Sequence, residues 1–355
     1  MLHTEYIIYF ITTADIRTLI GHCMFCIHTD NLNAKAEKGR LFVQSIMKPY
    51  EEPYKDVSNM NKMRVLRDVL SMEGVGKSNV IIRYNITEEF WSEVIATANE
   101  YRVCAVGTPG IGKTTSTCIL IRLLLQQQKT VLFQVRTVGK EGFVYLFTPL
   151  AGSTTDIDVQ VEYEKNFSRL DSKYDKPSIY YVVDPGKTRD DCDPPNEFLG
   201  KVIIVASPDE GHWGKSNFQK ERSGVSGFFL FYPVWKVHEL IAALPFLGSS
   251  LNENDIIDRY EKVGGIPRHI FLNKEQFSDI LRRQTSFINH LSDHQLQKLT
   301  SNDMGSAYAF SEGQLIVYES SRNFRQFNVD VASKLVLSKL INKVPHKYCI
   351  PFQQL

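Results

Sequence analysis

The sequence predicts an α/β fold, in which a parallel sheet is sandwiched by helices and followed by a mainly helical C-terminal region. Two observations lead to this prediction. Short buried strands alternate with helices through the middle of the chain, a pattern typical of parallel sheets with helices on both faces. A glycine-rich segment also stands between one of these strands and the helix that follows it, at residues 106–116.

The elements can be assigned in chain order. Before the glycine-rich segment, residue spacing predicts a helix in NMNKMRVLRDVL, a strand in NVIIRYN and a helix capped by Thr87. After the strand RVCAV comes a helix from Gly112 to Gln127, and then strands in KTVLFQVR, SIYYVVD, KVIIVAS and GFFLFYPV. Between the first two of these strands, apolar and polar residues alternate over 142–161, which predicts a hairpin added to the core.

Composition narrows the classes of protein. The 355 residues carry 41 basic and 40 acidic side chains, so no overall field attracts nucleic acid or an anionic membrane. Six scattered cysteines are too few for a disulfide framework and indicate a reducing compartment, the nucleus or the cytoplasm. The N-terminal YIIYFITT is short and has no preceding basic residue, so we expect a buried strand there and no membrane partner.

The segment VGTPGIGKTTS contains the complete pattern GxxxxGK[ST] of a phosphate-binding loop. Its glycines let backbone N–H groups turn toward phosphate oxygens, Lys113 can reach the terminal phosphates, and Thr114 can ligate Mg²⁺. A buried strand precedes the loop and a helix follows it, as this mechanism requires. The sequence therefore predicts a P-loop NTPase whose nucleotide-binding residues are Gly107, Thr108, Pro109, Gly110, Ile111, Gly112, Lys113, Thr114 and Thr115.

A weaker echo of this loop, EGVGKSN, lies at residues 73–79. Its first glycine would have to stand at Ser71, and the predicted element before it is a helix rather than a strand. We therefore interpret the echo as a turn that ends a helix, with Gly74 or Gly76 at positive φ.

Three polar residues are predicted to complete the site. Asp184 ends a buried strand, where it could hold Mg²⁺ through water, although an Asp before a proline is also a common turn starter. Ser207 ends the next strand and could sense the terminal phosphate, or only form a turn. Arg268 follows a Gly-Gly turn and could lean over the nucleotide; the alternative is a surface salt bridge.

Taken together, these segments resemble the retrotransposon hot spot proteins and the related Crinkler proteins. The resembling stretches are RVLRDVL, VGTPGIGKT, YYVVDPGK, KVIIVASPDEGHW and RYEKVGGIPRHIF, which follow the family order across residues 64–271. The resemblance implies an AAA-like or STAND-like ATPase module that binds ATP and Mg²⁺, often coupled to an effector domain. It matches Lys113 and Thr114 to the phosphate loop, Asp184 to the magnesium acid, and Ser207 and Arg268 to the remaining polar positions.

The expected organisation has three regions: an irregular segment 1–60, a P-loop NTPase core 61–245, and a helical lid and tail 246–355 that includes the strand-like AYAFSEGQLIVYES. We expect the chain to be too short for a complete effector domain after the ATPase. No Crinkler translocation leader is recognisable, so an intracellular location is expected rather than secretion into a host.

The C-terminal stretch 321–347 combines basic residues with Phe324 and Phe327, a composition that can grip single-stranded nucleic acid. Its apolar residues also recur at helical spacing, and a core helix with a solvated basic face is the preferred interpretation. The basic residues are Arg322, Arg325, Lys334, Lys339, Lys343 and Lys347; the apolar ones are Ala332, Val336, Leu340 and Val344.

Two further groups suggest chemistry but have simpler explanations. Cysteines and histidines cluster within residues 22–28, yet no second pair of zinc ligands appears, so core cysteines are preferred. Asp171 and Lys173 have the spacing of a nuclease acid and lysine, but they lack a partner carboxylate and are interpreted as a solvated loop.

The residue after Asp184 is Pro185, which cannot orient an attacking water. A base could come from Glu141, Asp190 or Asp209, although nothing in the sequence places them at the phosphates. The leading expectation is therefore a slow ATPase switch, for which self-assembly or a partner could supply an arginine. The alternatives are a nucleic-acid-processing protein powered by ATP, and a scaffold that does not hydrolyse it.

Overall fold

The computed structural model of the chain describes residues 32–51, 63–70, 72, 77–83, 85–135, 142–153, 156–163, 176–184, 198–208, 227–292, 294–295, 310 and 315–343. These residues form an α/β structure built on a seven-stranded, mostly parallel sheet flanked by helices. No helix in these ranges has the length and apolar character needed to cross a bilayer.

The central sheet contains the strands that the sequence predicts. The strands are β3 (Arg102–Val106), β4 (Val131–Val135), β5 (Phe143–Pro149), β6 (Ile157–Tyr163), β7 (Tyr180–Asp184), β8 (Lys201–Val205) and β9 (Gly227–Phe231). Along the sheet the order is β6, β5, β4, β7, β8, β3, β9. Strands β4, β7, β8, β3 and β9 run parallel, and the predicted hairpin adds β5 and β6 as antiparallel strands at one edge.

Successive side chains of the parallel strands point to opposite faces of the sheet, and both faces are apolar. One face packs against α1 (32–46), α2 (Thr87–Thr97) and α3 (Lys113–Gln126). The opposite face buries residues such as Cys104 and Val183 against Phe198 and the half-buried Phe327. Within the described ranges no helix contributes to that second cluster, so the predicted sandwich of helices is seen here on one face.

The largest correction concerns residues 63–70, predicted as helical. They form the strand β1 (Met63–Leu70), which pairs antiparallel with β2 (Lys77–Arg83). The register shifts between Leu66 and Val69, where Asp68 has a φ of 55°. This bulge breaks the two-residue alternation of buried side chains and produces the spacing that imitates a helix.

Residues 1–60 are not irregular throughout, because 32–46 form helix α1. Its buried residues Phe42, Val43 and Ile46 have helical spacing and join the main core. Position 39 of this helix is a glycine. A Cβ there would stand 2.7 Å from Val159 Cγ1, so the close packing against β6 requires glycine. Residues 1–31 lie outside the described ranges, including the strand expected in YIIYFITT and the cluster at 22–28.

The predicted cap of α2 is also corrected. The helix begins at Thr87, with Ile86 as its N-cap, and no side chain caps it. The Thr87 hydroxyl accepts a hydrogen bond from the backbone N–H of Arg83 at 3.0 Å. Thr87 therefore connects β2 to α2 instead of capping the helix.

The C-terminal part is mainly helical, as predicted. Its helices are α4 (Val237–Leu247), α5 (Glu253–Val263), α6 (Pro267–Ile270), α7 (Lys274–His290) and α8 (Lys334–Lys343). The predicted strand is β10 (Ile316–Ser320), and it pairs with β11 (Phe327–Val331), which sequence reasoning missed.

Candidate functional site

The phosphate loop connects β3 to α3 and has the backbone that its glycines predict. Gly110 and Gly112 have φ values of 86° and 96°, in the left-handed region that favours glycine. Gly112 is the N-cap residue, and α3 begins at Lys113. The positive end of the helix dipole and its first N–H groups therefore face the loop, an arrangement that favours an anion.

Lys113 is buried, and its ammonium group binds its own loop. The Nζ atom donates hydrogen bonds to the carbonyl oxygens of Gly107 at 2.6 Å and Thr108 at 3.2 Å. The pKa of Lys113 is lowered to about 7, mainly because the residue is buried; Asp184 raises it, Arg268 lowers it and Cys104 raises it. Lys113 is therefore within electrostatic reach of both Asp184 and Arg268.

Asp184 ends β7 and is buried, with 5% of its surface exposed. It lines a cleft of about 160 Å³ together with Thr114, the other predicted magnesium ligand. A hydroxyl and a carboxylate supply the hard oxygen donors that Mg²⁺ prefers, and Mg²⁺ commonly takes only one or two protein carboxylates beside phosphate oxygens. The described residues contain no group of three or more His, Cys, Asp or Glu side chains that could hold a metal.

Ser207 follows β8, and β8 lies directly between the loop strand β3 and the acid strand β7. The carboxyl ends of parallel strands meet at one edge of a sheet, where open α/β sheets bind their ligands. The fold therefore brings the half-buried Ser207 to the edge that holds the phosphate loop and Asp184.

Arg268 is brought against the phosphate loop by helix α6. Its backbone N–H donates to the Gly110 carbonyl at 3.3 Å, and a Cβ on Gly110 would stand 3.1 Å from the Arg268 Cβ. Arg268 and the loop share a second cleft, of about 250 Å³. Arg268 is an exposed residue and makes no salt bridge in the described ranges, so its role at the site stays a prediction.

The two glycines before α6 allow Arg268 to lie against the phosphate loop. A Cβ on Gly264 would stand 1.9 Å from the Ala332 carbonyl oxygen, and one on Gly265 would stand 1.9 Å from the Trp235 carbonyl oxygen. Gly264 also has a φ of 74°. Only glycine lets the turn pass between these two backbone segments and reach the loop.

Sequence reasoning missed two residues that hold the loop. Trp235 Nε1 donates to the Ile111 carbonyl at 2.9 Å, and the Tyr318 N–H donates to the Thr108 hydroxyl at 2.9 Å. Thr108, predicted to bind nucleotide, thus uses its side chain to bind the C-terminal hairpin. A tryptophan after a strand carries no sequence pattern that would have indicated this contact.

Arg83 fixes the wall of the second cleft. Its guanidinium is buried, donates to the carbonyls of Pro233 and Val234, and lies 3.5 Å from the Glu239 carboxylate. It also stacks over the Trp235 ring at 5.0 Å. These contacts attach strand β2, which lines this cleft, to the segment that leads from β9 into α4.

The basic C-terminal stretch is largely engaged with the protein itself. Val336 and Leu340 are buried, which confirms the core-helix interpretation. Arg325 pairs with Glu93, and Lys334 pairs with Glu261. Lys339 and Lys343 donate to Thr285 and to the Asn289 carbonyl. Val344 and Lys347 lie outside the described ranges, and a nucleic-acid surface on this stretch stays a prediction.

Several predicted residues lie outside the described ranges, among them Asp171, Lys173, Glu141, Pro185, Asp190 and Asp209. Most of the echo at 73–79 also lies there, and its Lys77 is an exposed residue that begins β2. Because the element before the echo is a strand, the helix-ending turn proposed for it is wrong.

Comparison of the chain with models of known protein families found no match. Comparison with curated proteins found no match either.

Proposed function

We propose that the chain is an ATP-binding P-loop NTPase with an AAA-like or STAND-like core, of the retrotransposon hot spot and Crinkler type. The observation that carries the proposal is that Lys113 lies in a loop contacted by the Arg268 backbone, while Asp184 shares a cleft with Thr114 of the same loop. A cation, an acid and a second cation beside the N-terminus of a helix suit a nucleoside triphosphate with Mg²⁺.

The strand order supports the finer fold class. One strand, β8, separates the phosphate-loop strand from the acid strand, as expected for an AAA-like core. Ser207 at the end of that strand would sense the terminal phosphate, and Arg268 would contact the nucleotide from the helical C-terminal region.

The residues divide between two tasks. Lys113, with the loop amides, binds the terminal phosphates once its ammonium leaves the carbonyls of Gly107 and Thr108. Thr114 and Asp184 would hold Mg²⁺, which supplies charge neutralisation at the phosphates when bound. Of the described residues that line the two clefts, Asp184 is the one carboxylate. We therefore propose slow hydrolysis, so that binding sets a switch and turnover resets it.

The test compares two lysines with a fluorescent ATP analogue. Lys113→Ala should weaken binding about tenfold to a hundredfold, since it removes a charged hydrogen-bond donor. Lys77→Ala, in the echo, should bind like the unaltered protein because Lys77 is exposed at the start of β2. Equal losses in the two variants, or no binding by the unaltered chain, would reject the proposal.

A further inference from the structure

The edge of strand β2 carries two backbone groups that point out of its sheet. Val65 in β1 exchanges both of its backbone hydrogen bonds with Glu51, at 2.9 and 3.0 Å. Its N–H and C=O therefore point away from β2. Val65 stands directly opposite Ile81, and facing residues in an antiparallel pair exchange either both bonds or none. The N–H and C=O of Ile81 must then point away from β1.

That outward edge faces the larger cleft. Asn79, Val80 and Ile81 all line it, although consecutive side chains of a strand point to opposite faces. A strand that turns its edge toward a cleft lines it with consecutive residues, as these three do. Within the described ranges the backbone of Ile81 makes no hydrogen bond to another residue.

The same cleft continues into the phosphate loop. Gly112 and Thr115 line it at one end, so a ligand whose phosphates lie on the loop would extend toward β2. Its other walls are mainly apolar and include Trp235, Pro267 and Phe271. Arg268 and Asn79 also line it. A volume of about 250 Å³ with mainly apolar walls and a few polar groups suits a flat heteroaromatic base.

We infer that the backbone N–H and C=O of Ile81 select an adenine base in this cleft. The inference rests on the proposed function, since it takes the phosphates to lie on the loop. The Ile81 N–H would donate to a ring nitrogen of the base, and the Ile81 carbonyl would accept from the 6-amino group. Adenine offers this pair, an acceptor nitrogen beside an amino donor.

Guanine and hypoxanthine carry an oxygen where adenine carries its amino group. In the same pose this oxygen would face the Ile81 carbonyl, so two acceptors would meet and both would lose their hydrogen bonds. A polar group left without its hydrogen bond costs about 1–3 kcal/mol, which corresponds to about a tenfold to hundredfold loss of affinity. The chain would therefore prefer adenine nucleotides without a side chain that reads the base.

The test measures affinity for ATP, purine riboside triphosphate, inosine triphosphate, GTP and tripolyphosphate by calorimetry on the full chain with Mg²⁺. ATP should bind most tightly. Purine riboside triphosphate, which lacks the amino group, should bind about tenfold more weakly, and inosine triphosphate and GTP more weakly still. Inosine triphosphate binding as tightly as ATP would overturn the inference.

Two variants separate the backbone from the side chain. Ile81→Pro removes an N–H that the β1–β2 ladder does not use, and proline is tolerated at such edge positions. It should weaken ATP binding about tenfold and leave tripolyphosphate binding unchanged. Ile81→Ala keeps both backbone groups, so its preference for ATP over inosine triphosphate should persist. A loss of that preference in Ile81→Ala would assign base selection to the side chain.

Ile82→Pro is the folding control, because Ile82 pairs with Arg64 in the ladder and should lose stability where Ile81→Pro does not. If Ile81→Pro also unfolds, the nucleotide series alone decides. Binding of every triphosphate with one affinity rejects base selection by Ile81 but keeps the proposed function, whereas binding of none rejects the proposed function.

Discussion

The hydroxyl of Thr108 accepts a hydrogen bond from the backbone N–H of Tyr318, 210 residues further along the chain. Both residues are fully buried. The Thr108 carbonyl at the same time accepts from Lys113. One residue of the phosphate loop thus connects the lysine expected to contact nucleotide with the C-terminal hairpin β10–β11.

This contact predicts a difference between two substitutions. Thr108→Val keeps the shape but leaves the Tyr318 N–H unsatisfied, so the free energy of unfolding should fall by about 1–3 kcal/mol. Thr108→Ser keeps the hydroxyl and should lose less. Urea denaturation of the two variants measures the difference; equal stability would show that the hydrogen bond contributes nothing.

Nucleotide affinity should depend on pH through Lys113. Its pKa is about 7 in the protein, against 10.5 for an unperturbed lysine, and bound phosphates should raise it again because they favour the charged form. Above pH 7 binding must therefore take up a proton, and the affinity should fall by up to about tenfold per pH unit. Below pH 7 this contribution is constant.

Calorimetry in two buffers of different ionisation enthalpy measures that proton uptake directly. Lys113→Arg is the control, because an arginine stays protonated throughout this range. Proton uptake above pH 7 should disappear in that variant. If it persists, the titrating group is another one, such as the nucleotide phosphate itself.

Asp184→Asn should lower the rate of ATP turnover more than it lowers the affinity for nucleotide. If Asp184 holds Mg²⁺, phosphate release should fall about a hundredfold or more, because the metal stabilises charge in the transition state. With the metal removed by a chelator, nucleotide binding should not weaken, since the lost negative charge repelled the phosphates. Asp156→Asn, in the exposed loop between β5 and β6, is the matched control. Unchanged turnover in Asp184→Asn would show that Asp184 does not hold Mg²⁺ and would favour the alternative, that it starts a turn before Pro185.

The isolated chain should hydrolyse ATP at about one turnover per minute or less, far below the enzyme median near 10 per second. The reason is that Pro185 follows the acid, and a counter-charging arginine often comes from a neighbour. Steady-state phosphate release across a protein dilution series tests this. Turnover that rises with concentration would indicate an arginine supplied by self-assembly, whereas fast turnover independent of concentration would contradict the prediction.

The sequence by itself determined the phosphate loop and the parallel strands around it. Both are local properties: the glycines at 110 and 112 set the loop backbone, and runs such as YYVVD are apolar enough to be buried on both faces of a sheet. Because parallel strands end at a common edge, the sequence also predicted that Asp184 and Ser207 would lie near the loop.

Tertiary structure decided what local pattern could not express. The bulge at Asp68 turned an apparent helix into strand β1, because its spacing follows from pairing with β2. Trp235 and Tyr318 reach the loop from distant segments, and no spacing encodes such contacts. The role inferred for Ile81 depends on which backbone edge β1 leaves open, and that is decided by how the strands pair, since every residue carries the same N–H and C=O.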